Sequence, residues 1–312
     1  HNLLIEDGLV NLVYEIPHML QWGTPIDVSE YMQWSNYNRN ILEGQKKVDI
    51  PNCVTVMPMA GQGSRFSKEG YEVPKPCIPV NGSFMFLQAL KCLPNTSDLF
   101  FASLTSRKDL FDLEKYGKVE WLDDVLEGQA CTTERIVNHI SDPNMSFLVS
   151  ACDNGILYDS DKFLDLANDS DNDIIVWSYR NNFTSYRNPN AYSWLDVDNE
   201  NIVRKVNVKD FRGVNPLDEY AIVGTMFFRN KEIFNNSLKK LYEKNIRTNG
   251  EFYIDNLLNE AIQLGYIVRN FEVDEFICWG TPNDLKTYEY WQTFFSKVNW
   301  HPYEYEKDFF TN

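Results

Sequence analysis

From residue 53 onward, the chain alternates short apolar runs with stretches whose apolar residues recur every three or four positions. The short runs are rich in β-branched and aromatic residues and predict strands, whereas the longer period predicts helices. The predicted strands cover residues 53–57, 99–105, 146–153, 173–180 and 221–228. The predicted helices cover residues 85–93, 129–140, 159–169, 230–245 and 251–265. Between residues 192 and 211, alternation on either side of the turn "DNEN" predicts a β-hairpin.

Strands that alternate with helices at this spacing indicate an α/β fold. A helix that connects two strands brings them parallel and packs on one face of their sheet, and successive helices can cover both faces. We therefore expect a mostly parallel, mixed sheet with helices on both faces.

One internal repeat changes the expected domain organisation. The stretch "QWGTPIDVSEYMQW" at residues 21–34 recurs as "CWGTPNDLKTYEYW" at residues 278–291, an offset of 279 − 22 = 257. Without a gap, the same offset pairs Gly8 with Gly265 and Glu15 with Glu272. We expect residues 1–48 to be the C-terminal remnant of a preceding similar domain in a tandem protein. Residues 52–295 would then form the main domain, and residues 296–312 a C-terminal tail.

Composition limits the cellular class and the partners. With 43% hydrophobic and 14% aromatic residues, the 312-residue chain can bury a full core. No run approaches the roughly 18 uncharged apolar residues of a membrane helix, and the first residues lack the order of a secretory signal. We therefore expect a cytoplasmic protein without a membrane partner. A net charge of −16 argues against nucleic acid as a partner.

The positions of the cysteines and histidines argue against zinc sites and Ser-His-Asp triads. The six cysteines are dispersed without a C-x-x-C pair, which is typical of reduced thiols. The four histidines are also dispersed, so neither a His-based zinc site nor a Ser-His-Asp triad is expected. Any metal site should therefore use oxygen ligands, as Mg²⁺ prefers.

Basic residues cluster behind a glycine-containing turn, "MAGQGSRF", despite the acidic composition. Gly61 and Gly63 allow backbone N–H groups to approach an anion closely. The turn is neither the G-x-G-x-x-G dinucleotide motif nor a Walker loop, because Phe66 replaces the third glycine and no Gly-Lys-Ser/Thr follows. Arg65 can hold phosphate oxygens with two N–H groups, and Lys75 lies between two prolines. Together they could neutralise a triphosphate whose α-phosphorus is attacked.

The longer stretch "MPMAGQGSRFSKEGYEVPKPCIPVNG" resembles the signature of the sugar-phosphate nucleotidyltransferases, which include NDP-sugar pyrophosphorylases and cytidylyltransferases. The resemblance implies a Rossmann-like nucleotidyltransferase (GT-A-like) fold. It also implies that Arg65 holds the leaving pyrophosphate and that Lys75 stabilises charge at the reacting phosphate. The residues that would bind the nucleoside triphosphate in the turn are Met59, Ala60, Gly61, Gly63 and Ser64.

Further segments resemble the same family. "EGQACTT" is similar to its base-contacting turn, which implies that Gly128 and Gln129 bind the nucleotide base. "SACDNG" and "GEFYIDNLLNEAI" imply that Asp153 and Asp255 bind Mg²⁺. The residues that the resemblance implies for acceptor binding are Lys209, Gly224 and Glu251.

The implied activity is transfer of a nucleoside monophosphate from an NTP to a phosphorylated small molecule, with release of pyrophosphate. A role in surface-polysaccharide or capsule precursor synthesis would follow. Two alternatives stay open: a glycosyltransferase that consumes a nucleotide sugar, and a non-catalytic nucleotide-binding module of a tandem protein. The base, the acceptor and the oligomeric state are also open, with a homo-oligomer or an upstream tandem domain as candidate partners.

Overall fold

The computed structural model describes residues 2–311, so the first and last residues of the predicted terminal segments lie outside the described residues. The strands are β1 (Cys53–Pro58), β2 (Pro79–Val80), β3 (Ser83–Phe84), β4 (Asp98–Leu104), β5 (Lys118–Leu122), β6 (Ser146–Val149), β7 (Asn154–Leu157), β8 (Ile174–Tyr179), β9 (Trp194–Val197), β10 (Val203–Asn207), β11 (Tyr220–Phe228), β12 (Val268–Glu272) and β13 (Glu275–Cys278). The α-helices are α1 (Asn2–Glu6), α2 (Pro25–Asn40), α3 (Ser64–Lys68), α4 (Met85–Cys92), α5 (Gln129–Val137), α6 (Ser160–Asn168), α7 (Phe183–Arg187), α8 (Lys231–Glu243), α9 (Ile254–Gln263) and α10 (Pro282–Lys297).

The main sheet is mixed, as predicted. Strand β1 pairs in parallel with β4 and β6, and β4 pairs in parallel with β5. The long strand β11 runs antiparallel to β6, β8 and β9, and β12 extends the sheet parallel to β8. The predicted hairpin is the antiparallel pair β9–β10. Because β1 and β6 are parallel neighbours, the loops that follow them lie at the same edge of the sheet.

Helices cover both faces of this sheet, which explains why β1 reads as a continuous apolar run rather than an alternating one. Residues of α4, α6 and α10 belong to one hydrophobic core, and residues of α5, α8 and α9 belong to the other. Trp177 and Trp279 are fully buried in the first core, and Phe147 and Phe234 are fully buried in the second. The predicted α/β architecture is therefore confirmed.

The predicted strand over residues 146–153 is corrected by the structure to two strands. Strand β6 ends at Val149, and after the bend that carries Asp153 the chain enters β7. Strand β7 leaves the main sheet and pairs antiparallel with β13 in a separate two-stranded sheet. The separation leaves Asp153 in the bend between the two strands, where its carbonyl oxygen accepts a hydrogen bond from Trp279 N–H at 2.8 Å just beyond β13.

The folded unit extends beyond residues 52–295 on both sides. In the tail, the Asp308 carboxylate accepts hydrogen bonds from the Tyr303 hydroxyl at 2.6 Å and from Gln292 Nε2 at 3.1 Å, and Asp308 is fully buried. In the second half of α2, the Trp34 ring stacks on that of Trp291 in α10, with centroids 6.2 Å apart. Both segments therefore contribute to the core of the main domain.

Candidate functional site

Two adjoining cavities open at the sheet edge where β1 and β6 end, each with a volume of about 590 Å³. The first, which we call the loop cavity, is lined by the turn after β1 and by the start of α5. The second, which we call the sheet cavity, is lined by the middle of β11 and the residues around Lys209 and Asp255. Arg65, Lys75 and Asp153 line both cavities, so these three side chains mark their common boundary.

The turn after β1 has a conformation that its sequence explains. Gly63 has a left-handed φ of 66° and immediately precedes α3, and a Cβ there would approach Lys75 Cβ to 3.0 Å. A side chain at this position would thus push the lysine out of place. The predicted turn residues all line the loop cavity: Met59, Ala60, Gly61, Gly63 and Ser64.

A buried arginine that the sequence did not indicate supports this turn from behind. Arg107 follows β4 and donates hydrogen bonds to the carbonyl oxygens of Met59 at 2.8 Å and Gly61 at 2.7 Å. Both acceptors are backbone carbonyl oxygens, so Arg107 does not engage the backbone N–H groups of the turn. Arg107 is therefore a positioning residue for the turn, and only the fold brings it there, because 46 residues separate it from Gly61.

Gly128 and Gln129, which are predicted to bind the base, also line the loop cavity. Gly128 has a φ of 135°, and a Cβ there would lie 2.5 Å from the Phe252 carbonyl oxygen and 2.6 Å from its nitrogen, so only glycine fits. Gln129 begins α5 and lines both cavities. Glu251 also lines the loop cavity and does not line the sheet cavity with Lys209 and Gly224. The backbone contact between Gly128 and Phe252 holds its segment against the start of α5.

Lys75 and Asp153 form an ion pair at the boundary between the cavities, and each side chain is 23% exposed. Burial alone would lower the pKa of Lys75, but the adjacent Asp153 carboxylate outweighs it and raises the pKa above its ordinary value. Lys75 is therefore a permanent cation at neutral pH. Arg65 is exposed at the same boundary and has no ion pair or hydrogen bond with any residue in the range 2–311. An anion could bind it without displacing a partner.

The sheet cavity contains the remaining predicted residues. Asp255 is 9% exposed and accepts a hydrogen bond from the Ser193 hydroxyl at 2.5 Å. Lys209 has a left-handed φ of 52°, and its ammonium donates to the Ala191 carbonyl. Gly224 has a φ of 97° at the irregular part of β11 and faces Ala151, where a Cβ would make a contact of 3.3 Å. All three line the cavity wall.

Several cavity residues were missed by the sequence reasoning. Arg187 of α7 lines the sheet cavity and forms an ion pair with Glu30 of α2 at 2.6 Å. Gly280 and Thr281 of the repeated "WGTP" stretch line it too, and a Cβ on Gly280 would lie 3.1 Å from an Asp153 carboxylate oxygen. The repeat was visible in the sequence and could have indicated Gly280 and Thr281. No local signal marks Arg187.

The donor set is compatible with Mg²⁺ only when substrate contributes ligands. Among residues 2–311, no group of three or more His, Cys, Asp or Glu is placed to hold a metal ion. Asp153 and Asp255 nevertheless line the same cavity, and one or two carboxylates plus substrate phosphates is the usual protein site for Mg²⁺. The two aspartates thus fit the ion as partial ligands.

None of the helices that the structure describes has the length and apolar composition of a membrane-spanning segment.

Comparisons with known proteins establish the fold. No protein-family model and no curated protein matches the chain. The chain is similar to the nucleoside-diphosphate-sugar pyrophosphorylase from Vibrio cholerae RC9, with 20% identity, a TM-score of 0.59, and coverage of 75% of this chain and 98% of that one. It is also similar to the inositol-1-phosphate CTP transferase from T. maritima, with 19% identity, a TM-score of 0.58, and coverage of 78% and 97%. A third similar structure is HddC from Yersinia pseudotuberculosis, solved with GMP-PN, with 17% identity, a TM-score of 0.53, and coverage of 77% of this chain and 99% of that one. The predicted nucleotidyltransferase fold is therefore confirmed.

Proposed function

We propose that the protein transfers a nucleoside monophosphate from a nucleoside triphosphate to a phosphorylated small molecule and releases pyrophosphate. The observation that carries the proposal is the common boundary of the two cavities. Arg65 and Lys75 lie where a ligand in the loop cavity would meet a ligand in the sheet cavity. Two cations at the junction of two substrate-sized cavities suit a reaction between two phosphates.

The loop cavity is the better site for the nucleotide. Its turn offers backbone N–H groups at Gly61 and Gly63, and the start of α5 lines the same cavity. We assign Gly128 and Gln129 to the base. Because Glu251 lines this same cavity, we assign it to the nucleotide side as well.

The sheet cavity is then the acceptor site, in which Lys209 and Arg187 supply positive charge and Gly224 allows close approach to β11. An oxygen of the acceptor phosphate attacks the α-phosphorus of the NTP, a new P–O bond forms, and the bond from the α-phosphorus to the bridging oxygen breaks. Pyrophosphate leaves with that oxygen and its electron pair. The acceptor phosphate is already ionised at neutral pH, so the reaction needs no general base. Arg65 stabilises the departing pyrophosphate, and Lys75 stabilises charge on the α-phosphate.

We further propose that Mg²⁺ binds with the substrates at Asp153 and Asp255, where it would neutralise phosphate charge. Lys75 forms an ion pair with Asp153 and balances its charge. The reaction would take place in the cytoplasm, where NTPs are abundant. The loop motif supports a role in making precursors of surface polysaccharide or capsule.

The proposal is tested by pyrophosphate release. The protein is incubated with Mg²⁺, each of ATP, CTP, GTP, UTP and dTTP, and a panel of sugar 1-phosphates, phosphocholine and other phosphorylated small molecules. We expect release with one base and one acceptor class. No release with any pair would contradict catalysis and favour a non-catalytic nucleotide-binding module.

With the active pair identified, Arg65→Ala and Lys75→Ala should each lower kcat/KM by about 10²- to 10³-fold, because each removes a preorganised cation. Lys68→Ala is the matched control, since Lys68 is an exposed cation of α3 that lines neither cavity. Its activity should stay within about twofold of the wild type. Circular dichroism checks that all three variants are folded. Equal activities of Arg65→Ala and Lys68→Ala would overturn the site assignment.

A further inference from the structure

The N-terminal segment carries a concentration of exposed apolar side chains that the main domain does not use. Leu12, Val13 and Tyr14 are 89%, 97% and 88% exposed, and Trp22 is 61% exposed. Residues 7–24 contain no helix or strand. Large apolar side chains exposed side by side usually mark an interaction surface.

The ends of this segment have the same local structure as their repeat partners 257 residues later. Helix α1 corresponds to the last five residues of α9. After α1, Gly8 N–H donates to the Ile5 carbonyl at 3.0 Å with a φ of 76° at Gly8. After α9, Gly265 N–H donates to the Ile262 carbonyl at 3.0 Å with a φ of 90° at Gly265. The two helix ends therefore use the same glycine cap.

The second helix of the repeat is also reproduced. Helices α2 and α10 each have 16 residues and begin with proline. Thr24 Oγ1 accepts from Asp27 N–H at 3.3 Å, and Thr281 Oγ1 accepts from Asp284 N–H at 3.2 Å. Similarity of sequence is thus matched by similarity of structure at both ends of the repeat.

Between these ends the two copies differ in strand pairing. Residues 11–15 correspond to β12, which pairs with β8, and residues 18–21 correspond to β13, which pairs with β7. In the first copy neither stretch has a partner strand among residues 2–311. Trp279 is fully buried in the second copy, whereas its equivalent Trp22 is exposed. The first copy therefore has the sequence of two strands and no sheet to join.

We infer that residues 2–22 complete a second domain of this same fold, located before residue 1 in the natural polypeptide. Residues 11–15 pair in parallel with the strand of that domain equivalent to β8, and residues 18–21 pair antiparallel with the one equivalent to β7. Trp22 fills the place of Trp279 in that domain. A second copy of this chain does not fit as the partner, because its own β12 and β13 already occupy both strands.

Helix α2 is then shared by two domains. Its first turn closes the preceding domain, as α10 does here, while Trp34 and Tyr37 in its second half are buried in the main domain. Gly23 and Thr24 border the cavity of the preceding domain, as Gly280 and Thr281 border the sheet cavity. This inference rests on the repeat and on burial, not on the proposed reaction.

The test compares amide hydrogen exchange in the 312-residue chain with exchange in the full natural polypeptide. We expect residues 11–15 and 18–21 to exchange at least about 100-fold more slowly in the full polypeptide, as paired strands do. Equal rates in the two proteins would overturn the inference. A full polypeptide without a domain of this fold before residue 1 would also overturn it, as would protection in the 312-residue chain through self-association.

Two aspartate variants test the register. Tyr14 corresponds to Phe271, which is 1% exposed, and Val10 corresponds to Ile267, which is 37% exposed. Tyr14→Asp should abolish the protection of residues 11–15 in the full polypeptide, and Val10→Asp should retain it. In the 312-residue chain both side chains are exposed, so neither variant should change exchange or stability. Equal effects of the two variants in the full polypeptide would contradict the assigned pairing.

Discussion

The stretch from Trp22 to Asp27 and its repeat from Trp279 to Asp284 share five of six residues and the same helix cap, but they differ in burial. In the second copy the tryptophan lies between Tyr288 and Phe310, with ring centroids 5.8 Å and 5.2 Å away. In the first copy it contacts the ring of Tyr31 edge-on at 5.6 Å and is otherwise exposed. Local sequence alone fixes the helix and its cap, whereas the strands and the buried tryptophan need a sheet.

The largest effect should come from the two tryptophans. Trp279→Ala leaves a large cavity and should lower the free energy of unfolding of the 312-residue chain by about 3–5 kcal/mol. Trp22→Ala removes an exposed side chain and should change it by less than about 0.5 kcal/mol. Urea unfolding followed by circular dichroism measures both variants. If both variants lost a similar amount of unfolding free energy, the two tryptophans would be equally buried, which would contradict the prediction.

An intermediate effect should appear in the pH dependence of stability. Burial raises the pKa of Glu275 in β13 to about 7, despite a hydrogen bond of 2.8 Å from Asn40 Nδ2. Between its ordinary pKa near 4.5 and about 7, the folded protein binds a proton that the unfolded chain does not. Stability should therefore fall by about 1–3 kcal/mol as the pH rises through this window. Glu275→Gln should remove that loss.

The first copy should show the opposite sign. His18 stands at the position equivalent to Glu275, and burial, assisted by Lys297, lowers its pKa below the ordinary 6.5. The folded protein then releases a proton that the unfolded chain keeps, so His18 makes stability rise as the pH rises toward 6.5. The free energy of unfolding is measured with urea at pH 5.0 and 7.5. His18→Gln should change its difference between the two pH values in the opposite direction to Glu275→Gln, and by a smaller amount. A change in the same direction for both variants would contradict the opposite pKa shifts of the two side chains.

The smallest effect should come from the two helix caps. Thr281→Ala removes the side chain that accepts from Asp284 N–H and should cost about 1 kcal/mol. Thr24→Ala removes the same bond from α2, but the first turn of α2 is exposed and can fray without unfolding the domain. Its cost in global urea unfolding should be below about 0.5 kcal/mol. Thr281→Ser is the control that keeps the acceptor, and a loss equal to that of Thr281→Ala would exclude capping as the cause.

The sequence was most informative where structure depends on neighbouring residues. The strand at residues 53–57, the turn with Gly61 and Gly63, and the helix from Gln129 all lie where the pattern predicted them. Their signals are local: a buried strand is apolar throughout, and a turn with positive φ needs glycine. The fold class followed from the order of such elements.

The sequence was least informative where a residue acts through a distant partner. Strands β7 and β13 are four residues each and exist only because they pair with each other. Arg107 reaches the turn across the sheet edge, and Arg187 reaches the sheet cavity from α7. The sequence placed Glu251 near the site but gave no signal for which of the two cavities it lines. Such pairings have no fixed spacing along the chain.

The amino-acid sequence by itself therefore predicted helices α4, α5, α6, α8 and α9, the glycine turn and the candidate phosphate-binding cations. The helices and the turn could be predicted because they depend on contacts within a few residues. Only the tertiary structure decided that Arg65, Lys75 and Asp153 share a boundary between two cavities. It also decided that the second copy of the repeat joins a sheet whereas the first does not. A strand cannot satisfy its backbone hydrogen bonds alone, so its structure depends on which partner strand is within reach.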